Sequence, residues 1–283
     1  MVYITPTITA IDSPYLSEKN TGLGNVLFQI ASVYGLANTY GHKNTFPYVK
    51  LYCDKLKRLY NFDHYKTILR NFYNEQKEEI QYTYTHDNQR LNRTYDENLQ
   101  YLLQKPSQNI AIKGYMEVLS YFKEFRNQIQ ELFEIDATSE TYIQEKYGDI
   151  LRGEKTCISI HFRRGKDIPH NYNYSDDYYT KAIQYFKNIY KNIHFFIFSD
   201  NTENIPLEKY GITVNYTMVE GNPDYIDLWL MSKCDHYIIT TSTFCWWGVY
   251  LNKKENPHVL HEINHSHTYI PLDYSFTKNY IGI

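Results

Sequence analysis

The sequence predicts an α/β protein whose carboxyl-terminal half contains a parallel β-sheet covered by helices. Strand-like and helix-like patterns alternate regularly between residues 156 and 251. Residues 194–198 form a continuous apolar run, which is typical of a strand buried on both faces of a parallel sheet. Such alternation favours consecutive β-α-β units, in which parallel strands are joined by helices.

The amino-terminal half shows a strand, a glycine-containing loop and a helix. Apolar residues within 26–40 recur at the i, i+3, i+4, i+7 spacing of an amphipathic helix. The segment 22–25, Gly-Leu-Gly-Asn, precedes that helix, whereas residues 50–105 are polar and give no clear pattern beyond short helices and loops. The elements predicted in this half are strands at 3–10 and 110–114 and helices at 26–40 and 121–133.

Residues 136–155 are polar and contain two glycines, so we place the domain boundary there. The resulting division is an amino-terminal lobe, 1–150, and a carboxyl-terminal lobe, 151–283. Ser175 or Asp176 is the predicted N-cap of the first helix beyond the boundary. The elements predicted in the second lobe are strands at 156–162, 194–198, 213–219 and 236–240 and helices at 176–191, 225–233 and 243–251.

Polar residues follow three of these strands directly, and they are expected to meet because ligands bind past the carboxyl ends of parallel strands. The three segments are 161–164, 199–200 and 241–243. Arg163 is placed for bidentate contact with a diphosphate, whose growing negative charge a fixed guanidinium stabilises without a metal. The alternative is that Arg163 and Arg164 are ordinary surface arginines.

Two further segments have a phosphate-binding and a structural interpretation. Residues 241–243, Thr-Ser-Thr, open a helix, where N–H groups and hydroxyls bind phosphate, although Ser242 or Thr243 can equally be an N-cap. Glycines in the segment 22–25 would let the backbone approach a donor or an acceptor closely, or form a tight turn. This segment matches neither the dinucleotide fingerprint nor the Walker A loop.

Composition and charge exclude several classes of protein. The formal net charge of −3 gives no basic field for nucleic acid or an anionic membrane. Without a signal-like amino terminus or an apolar run of 18 residues, we expect a cytoplasmic protein of bacterial or viral type that has no transmembrane segment. Four scattered cysteines predict free thiols, and the spacing of His261, His265 and His267 does not predict a metal site. The oligomeric state stays open.

Five segments in order resemble the α-1,2-fucosyltransferase family, glycosyltransferase family 11, within the wider fucosyltransferase superfamily. The resemblance extends from about residue 20 to residue 252, with 50–105 unassigned. Its segments are 22–31 (similar to G-L-G-N-Q-x-F-Q), 114–122 (G-Y-F-Q…K-Y-F), 159–165 (H-x-R-R-G-D), 196–200 (F-S-D) and 227–248 (D-L-x-L-M-S-x-C, then N-S-S-F-S-W-W-G).

This resemblance implies a GT-B-like fold of two Rossmann-like lobes with the donor site in the cleft between them. It also implies inverting transfer of fucose from GDP-fucose to a galactose-like glycan hydroxyl, without a divalent metal or other cofactor. The implied catalytic residues are Arg163, His161 and Asn25. The implied donor-binding residues are Gly22, Gly24, Arg163, Arg164, Asp200, Ser242, Thr243 and Phe244.

Departures from the family pattern leave the donor sugar open. Lys166 stands where the motif has Asp, and Asp167 follows it. Thr241 replaces Asn, Thr243 replaces Ser and Val26 replaces Gln. The alternatives are therefore the same fold with GDP-mannose or a UDP- or dTDP-deoxysugar, or an inactive carbohydrate-binding relative.

Overall fold

Two parallel sheets, one in each part of the chain, organise the structure. The computed structural model describes residues 1–8, 22–60, 63–64, 66–72, 79–86, 95–163, 174–263 and 272–283. The chain divides into two compact units, Met1–Asp136 with Tyr269–Asp273 and Ala137–Thr268 with Tyr274–Ile283.

The first unit contains a four-stranded sheet in the order β2-β1-β4-β3, in which every described pair of strands is parallel. Its strands are β1 (Tyr3–Pro6), β2 (Lys43–Asn44), β3 (Tyr82–Thr85) and β4 (Ile110–Lys113), and its helices are α1 (Leu23–Thr39), α2 (Pro47–Tyr60), α3 (Glu97–Gln104) and α4 (Arg126–Leu132). Short 3₁₀ turns occupy Arg70–Phe72, Leu119–Tyr121 and Lys123–Phe125.

Helix α1 starts earlier than the sequence pattern predicts. Leu23 to Asn25 form its first turn, and Gly22 is its N-cap, so most of the predicted glycine loop is helical. Further along α1, a Cβ atom on Gly35 would lie 2.2 Å from the Tyr121 carbonyl oxygen, so only glycine fits this contact. The predicted helix at 121–133 is likewise different, because it begins as 3₁₀ turns and becomes α-helical at Arg126.

The second unit contains a six-stranded sheet in the order β10-β9-β8-β5-β6-β7, again with every described pair parallel. Its helices are α5 (Ala137–Leu151), α6 (Asp176–Ile189), α7 (Asp224–Ser232) and α8 (Thr243–Tyr250). Its strands are β5 (Thr156–Phe162), β6 (Ile193–Ser199), β7 (Tyr216–Met218), β8 (His236–Ile238), β9 (His258–His261) and β10 (Asn279–Gly282), with a 3₁₀ turn at Leu207–Tyr210.

The units divide at Asp136/Ala137, whereas the sequence analysis placed the boundary after residue 150. Helix α5 occupies most of that stretch and belongs to the second unit. Its composition resembles a linker because only a few side chains, including Ile143 and Tyr147 one turn apart, are buried.

Strand order in the second sheet reverses direction at β5. The chain passes from β5 outward to β6 and β7, then returns to β8 on the other side of β5 and continues to β9 and β10. A crevice forms at the carboxyl ends of the strands that flank such a switch point, here β5 and β8. Apolar side chains of β5 and α6, such as Ile160 and Phe186, form the core beneath it.

Candidate active site

Arg163 and Asp200 lie one residue beyond two neighbouring strands, at the carboxyl end of the second sheet. Phe162 at the end of β5 pairs with Ser199 at the end of β6, which brings the following residues together. The Arg163 guanidinium lies 3.6 Å from a carboxylate oxygen of Asp200, and the two side chains are 37% and 31% exposed. A pair this long and this exposed is weak, so the guanidinium can turn towards an incoming anion.

His161 is a buried, neutral base directly below Arg163. Its Nδ1 lies 2.5 Å from Oγ1 of Thr240, which follows the neighbouring strand β8. Burial, together with the positive charge of Arg163, lowers the pKa of His161 to about 3. The neutral imidazole therefore connects the ends of β5 and β8.

Three rings hold three consecutive residues after β8. Tyr178 of α6 donates to the Ile239 carbonyl oxygen at 2.7 Å, and His161 contacts Thr240. Tyr174 accepts the Thr241 backbone N–H, and its hydroxyl lies 2.6 Å from Thr241 Oγ1. The segment 239–241 is therefore fixed from the β5–α6 side of the switch point.

Helix α8 begins at Thr243, immediately after this segment. Ser242 is buried and is the N-cap, accepting the Phe244 N–H at 3.3 Å. Thr243 and Phe244 are half-buried, and the Phe244 ring stacks on His161 with ring centroids 6.3 Å apart. The capping and phosphate-binding interpretations of this segment are compatible, because a capping hydroxyl oxygen keeps its hydrogen for donation.

The structure brings together the predicted residues His161, Arg163 and Asp200 and the segment 242–244. The predicted residues Gly22, Gly24 and Asn25 lie in the first unit, at the N-cap and in the first turn of α1. Arg164, Lys166, Asp167, His265 and His267 lie outside the described residues.

Sequence reasoning missed Tyr174, Tyr178 and Thr240. The strand patterns could not reveal them, because their role depends on β8 being the neighbour of β5. The Tyr-rich stretch before and within α6 was the one available indication.

Within the described residues, no group of three or more histidine, cysteine, aspartate or glutamate side chains is arranged to hold a metal ion. All four cysteines are buried and unpaired. Of the helices described, none is both long and apolar enough to cross a membrane.

The chain is similar in sequence to known glycosyltransferases. A family model described as Glycosyl transferase family 11 matches residues 9–283. The chain is 29% identical over 168 residues to an alpha-1,2-colitosyltransferase of Escherichia coli, an alignment covering 52% of this chain and 55% of the relative. It is 23% identical over 198 residues to the galactoside alpha-(1,2)-fucosyltransferase 2 of Sus scrofa, covering 63% and 57%. The chain thus spans about half the length of the curated relatives it matches.

Solved structures share the fold over nearly the whole chain. The NodZ alpha-1,6-fucosyltransferase co-crystallized with GDP aligns with a TM-score of 0.54 and 15% identity, covering 94% of this chain and 96% of that one. Fucosyltransferase NodZ from Bradyrhizobium aligns with a TM-score of 0.51 and 14% identity, covering 87% and 91%. With its two parallel sheets and alternating helices, the chain has the predicted GT-B-like α/β fold.

Proposed function

The chain belongs to glycosyltransferase family 11, and we propose that it transfers fucose from GDP-fucose to a galactose-like hydroxyl of a glycan, forming an α-1,2 linkage with inversion. The observation that carries this proposal is the weak Arg163–Asp200 pair beside the amino terminus of α8, at the switch point of the sheet. A guanidinium and a helix amino terminus together form a site for a diphosphate.

In the proposed reaction, the largest change in charge occurs on the β-phosphate of the donor, beside Arg163. The acceptor hydroxyl oxygen forms a bond to the anomeric carbon while the bond from that carbon to the β-phosphate oxygen breaks, and the bonding electrons remain on the phosphate. Arg163 stabilises that charge, and the hydroxyls and N–H groups of 242–243 assist it. The departing diphosphate accepts the acceptor's proton, so the proposal requires no side-chain base.

The neighbouring residues hold these groups in place. Asp200 orients the Arg163 guanidinium, and neutral His161 orients Thr240 and packs against Phe244. Because the guanidinium and the helix terminus supply the positive potential, we propose that transfer needs no divalent metal. Activity that persists in excess EDTA would support this part of the proposal.

For the first unit, we propose that the start of α1 contacts substrate. Gly22 is exposed, and an added Cβ there would meet no atom of the described residues within 4 Å, so their packing does not require a glycine at this position. Gly24 and Asn25 follow in the first turn of the helix. Replacing Gly22 by Ala should preserve the fold and change a substrate KM.

A second donor has specific support. One relative is named a colitosyltransferase, and colitose is fucose without its 3-hydroxyl. Thr241 and Thr243 replace the family's Asn and Ser close to the proposed diphosphate site. A site that hydrogen-bonds the 3-hydroxyl would reject colitose strongly, whereas one that does not would accept both sugars.

The deciding experiment has two stages. Thermal shifts with GDP, UDP and dTDP first identify the nucleotide, and we expect stabilisation by GDP alone. Mass spectrometry of a glycan acceptor panel then compares GDP-fucose, GDP-colitose and GDP-mannose. Transfer of fucose supports the proposal, and preferred transfer of colitose supports the second donor. An absence of both transfer and donor hydrolysis would indicate an inactive carbohydrate-binding relative.

A further inference from the structure

Of three consecutive hydroxyls at the end of β8, the middle one is the most accessible. Thr240 is 2% exposed and binds His161, and Ser242 is 7% exposed and caps α8. Thr241 is half-buried, and its Oγ1 lies 2.6 Å from the hydroxyl oxygen of Tyr174. Thr241 therefore carries the most exposed of the three hydroxyls at the switch point.

Tyr174 holds this residue by both its backbone and its side chain. The phenol oxygen accepts the Thr241 N–H and also lies within hydrogen-bond distance of Thr241 Oγ1. Burial raises the pKa of Tyr174, so the phenol keeps its proton. A protonated phenol has one hydrogen to donate, and Thr241 Oγ1 is positioned to receive it.

The direction of this hydrogen bond decides what Thr241 can offer. When the phenol donates to Oγ1, the threonine hydroxyl hydrogen points away from Tyr174 and is available to another acceptor. A diphosphate oxygen accepts and does not donate, so it selects this arrangement. Hydrogen bonds in such a chain, from phenol to hydroxyl to anion, strengthen one another.

We propose that Tyr174 is a positioning residue that aims the Thr241 hydroxyl at the diphosphate of the donor. The inference rests on the proposed function, because it takes the diphosphate to lie beside Arg163 and the start of α8. It adds Tyr174, which neither the motif positions nor the strand patterns assign to the site, and it gives Thr241 of the predicted segment 241–243 a specific role.

The test is a double-mutant cycle on GDP affinity in the full chain. Tyr174→Phe removes only the phenol oxygen, and Thr241→Val replaces the hydroxyl by a methyl group of similar size. Isothermal titration calorimetry with GDP should show each single variant about tenfold weaker than the wild type. The double variant should be little weaker than either single variant, because the two groups act in one chain.

A matched control is available at the opposite end of the sheet. The hydroxyl of Tyr185, also on α6, lies 3.0 Å from His258 Nδ1 at the start of β9. Tyr185→Phe should bind GDP as the wild type does. A purely structural role for Tyr174 would instead lower the unfolding midpoint of Tyr174→Phe and leave its GDP affinity at the wild-type value.

The outcomes separate this inference from the proposed function. The inference alone is overturned if the wild type binds GDP and Tyr174→Phe binds it with unchanged affinity. It is also overturned if the losses of affinity in the two single variants add up in the double variant. Wild type that binds none of GDP, UDP and dTDP overturns both. If UDP or dTDP binds instead, the donor assignment is wrong, and the same cycle decides the inference with that nucleotide. If Tyr174→Phe does not fold, unchanged affinity in Thr241→Val overturns it.

Discussion

The two ends of the second sheet each carry an aspartate paired with a cation, and the two pairs differ in how tightly they close. At the carboxyl end, Arg163 and Asp200 are 3.6 Å apart, with exposures of 37% and 31%. At the amino end, Lys254 and Asp235 are 2.6 Å apart, with exposures of 42% and 30%. Solvent exposure is nearly equal, so it does not explain the difference.

The closer pair is also tied to the backbone of a neighbouring strand. Asp235 also accepts the backbone N–H of Cys157 at 2.7 Å, which ties the start of β8 to the start of β5. The Lys254–Asp235 pair therefore stabilises the sheet. The Arg163–Asp200 pair is too long for a strong hydrogen bond, so its cation is available to a ligand. This contrast supports the proposal that charged groups at the carboxyl end of the sheet bind substrate, whereas those at the amino end stabilise the fold.

Histidines with a lowered pKa do not distinguish the two ends. Burial lowers the pKa of His161, at the carboxyl end, to about 3 and that of His236, at the amino end, to about 4. His236 lies against Phe186 and Tyr190 and accepts the His258 N–H on its Nδ1. A perturbed pKa alone would therefore mark both ends as candidate sites, whereas the geometry of the ion pairs separates them.

The largest expected effect is the loss of activity in Arg163→Ala. Removing one charge partner of a transition state lowers the rate by about 10²–10³-fold or more. Turnover of GDP-fucose in a sugar-release assay measures the loss. The matched change at the amino end, Lys254→Ala, should leave turnover within about twofold and cost about 1 kcal/mol or less of stability. Near-normal turnover in Arg163→Ala would remove the basis of the site assignment.

The next effect is the pH dependence of the free energy of unfolding, and it should be similar for the histidines at both ends of the second sheet. His161 and His236 have folded pKa values below the ordinary 6.5, so each contributes stability that is present above pH 6.5 and is lost as pH falls towards 3 or 4. For each ring, the loss between pH 7.5 and pH 5 is about 2 kcal/mol. Urea unfolding at both pH values should show this decrease in the wild type and a smaller one in His161→Gln and in His236→Gln.

A decrease that stays unchanged in either variant would mean that the replaced ring titrates normally in the folded protein. Titration of the histidine ring signals by NMR gives an independent reading for each residue.

A smaller effect tests the structural role of the amino end. Asp235→Ala leaves the buried N–H of Cys157 without this acceptor and breaks the pair with Lys254. The free energy of unfolding should fall by about 1–2 kcal/mol, while the KM for the donor stays unchanged. A shifted KM with unaltered stability would reverse the assignment of the two ends.

The sequence predicted the parts of the fold that carry long, regular patterns. Strands β5 and β6 and helix α6 lie within one or two residues of their predicted bounds, and Ser175 is the N-cap of α6. These elements bury continuous apolar runs or one apolar stripe, and burial of that kind leaves a clear periodicity. The short strands β9 and β10 contain His, Asn and Gly, and no pattern distinguishes them from loops.

Helix α3, within the region 50–105, shows the opposite case, because it buries only two side chains. Helix α3 buries Leu99 and Leu103, one turn apart, and Asp96 caps it by accepting the N–H groups of Asn98 and Leu99. The cap and the Leu spacing were visible in the sequence, but the helix is only eight residues long and its surroundings are polar. For the candidate site, the sequence patterns predicted Arg163 and Asp200, which the structure places together. The contacts of Tyr174 and Thr240 follow from strand order, which local patterns do not encode.

The smallest expected change in stability comes from Asp200→Ala. This variant gives the most direct comparison between the ion pairs at the two ends of the sheet. It is the same substitution as Asp235→Ala, at a pair of similar exposure, but the Arg163–Asp200 distance is 3.6 Å and the Lys254–Asp235 distance is 2.6 Å. Its removal should therefore cost less than about 1 kcal/mol in urea unfolding. Turnover should still fall several-fold, because the guanidinium loses the partner that orients it. A stability loss as large as that of Asp235→Ala would show that both pairs are structural, and the contrast between the two ends of the sheet would then be wrong.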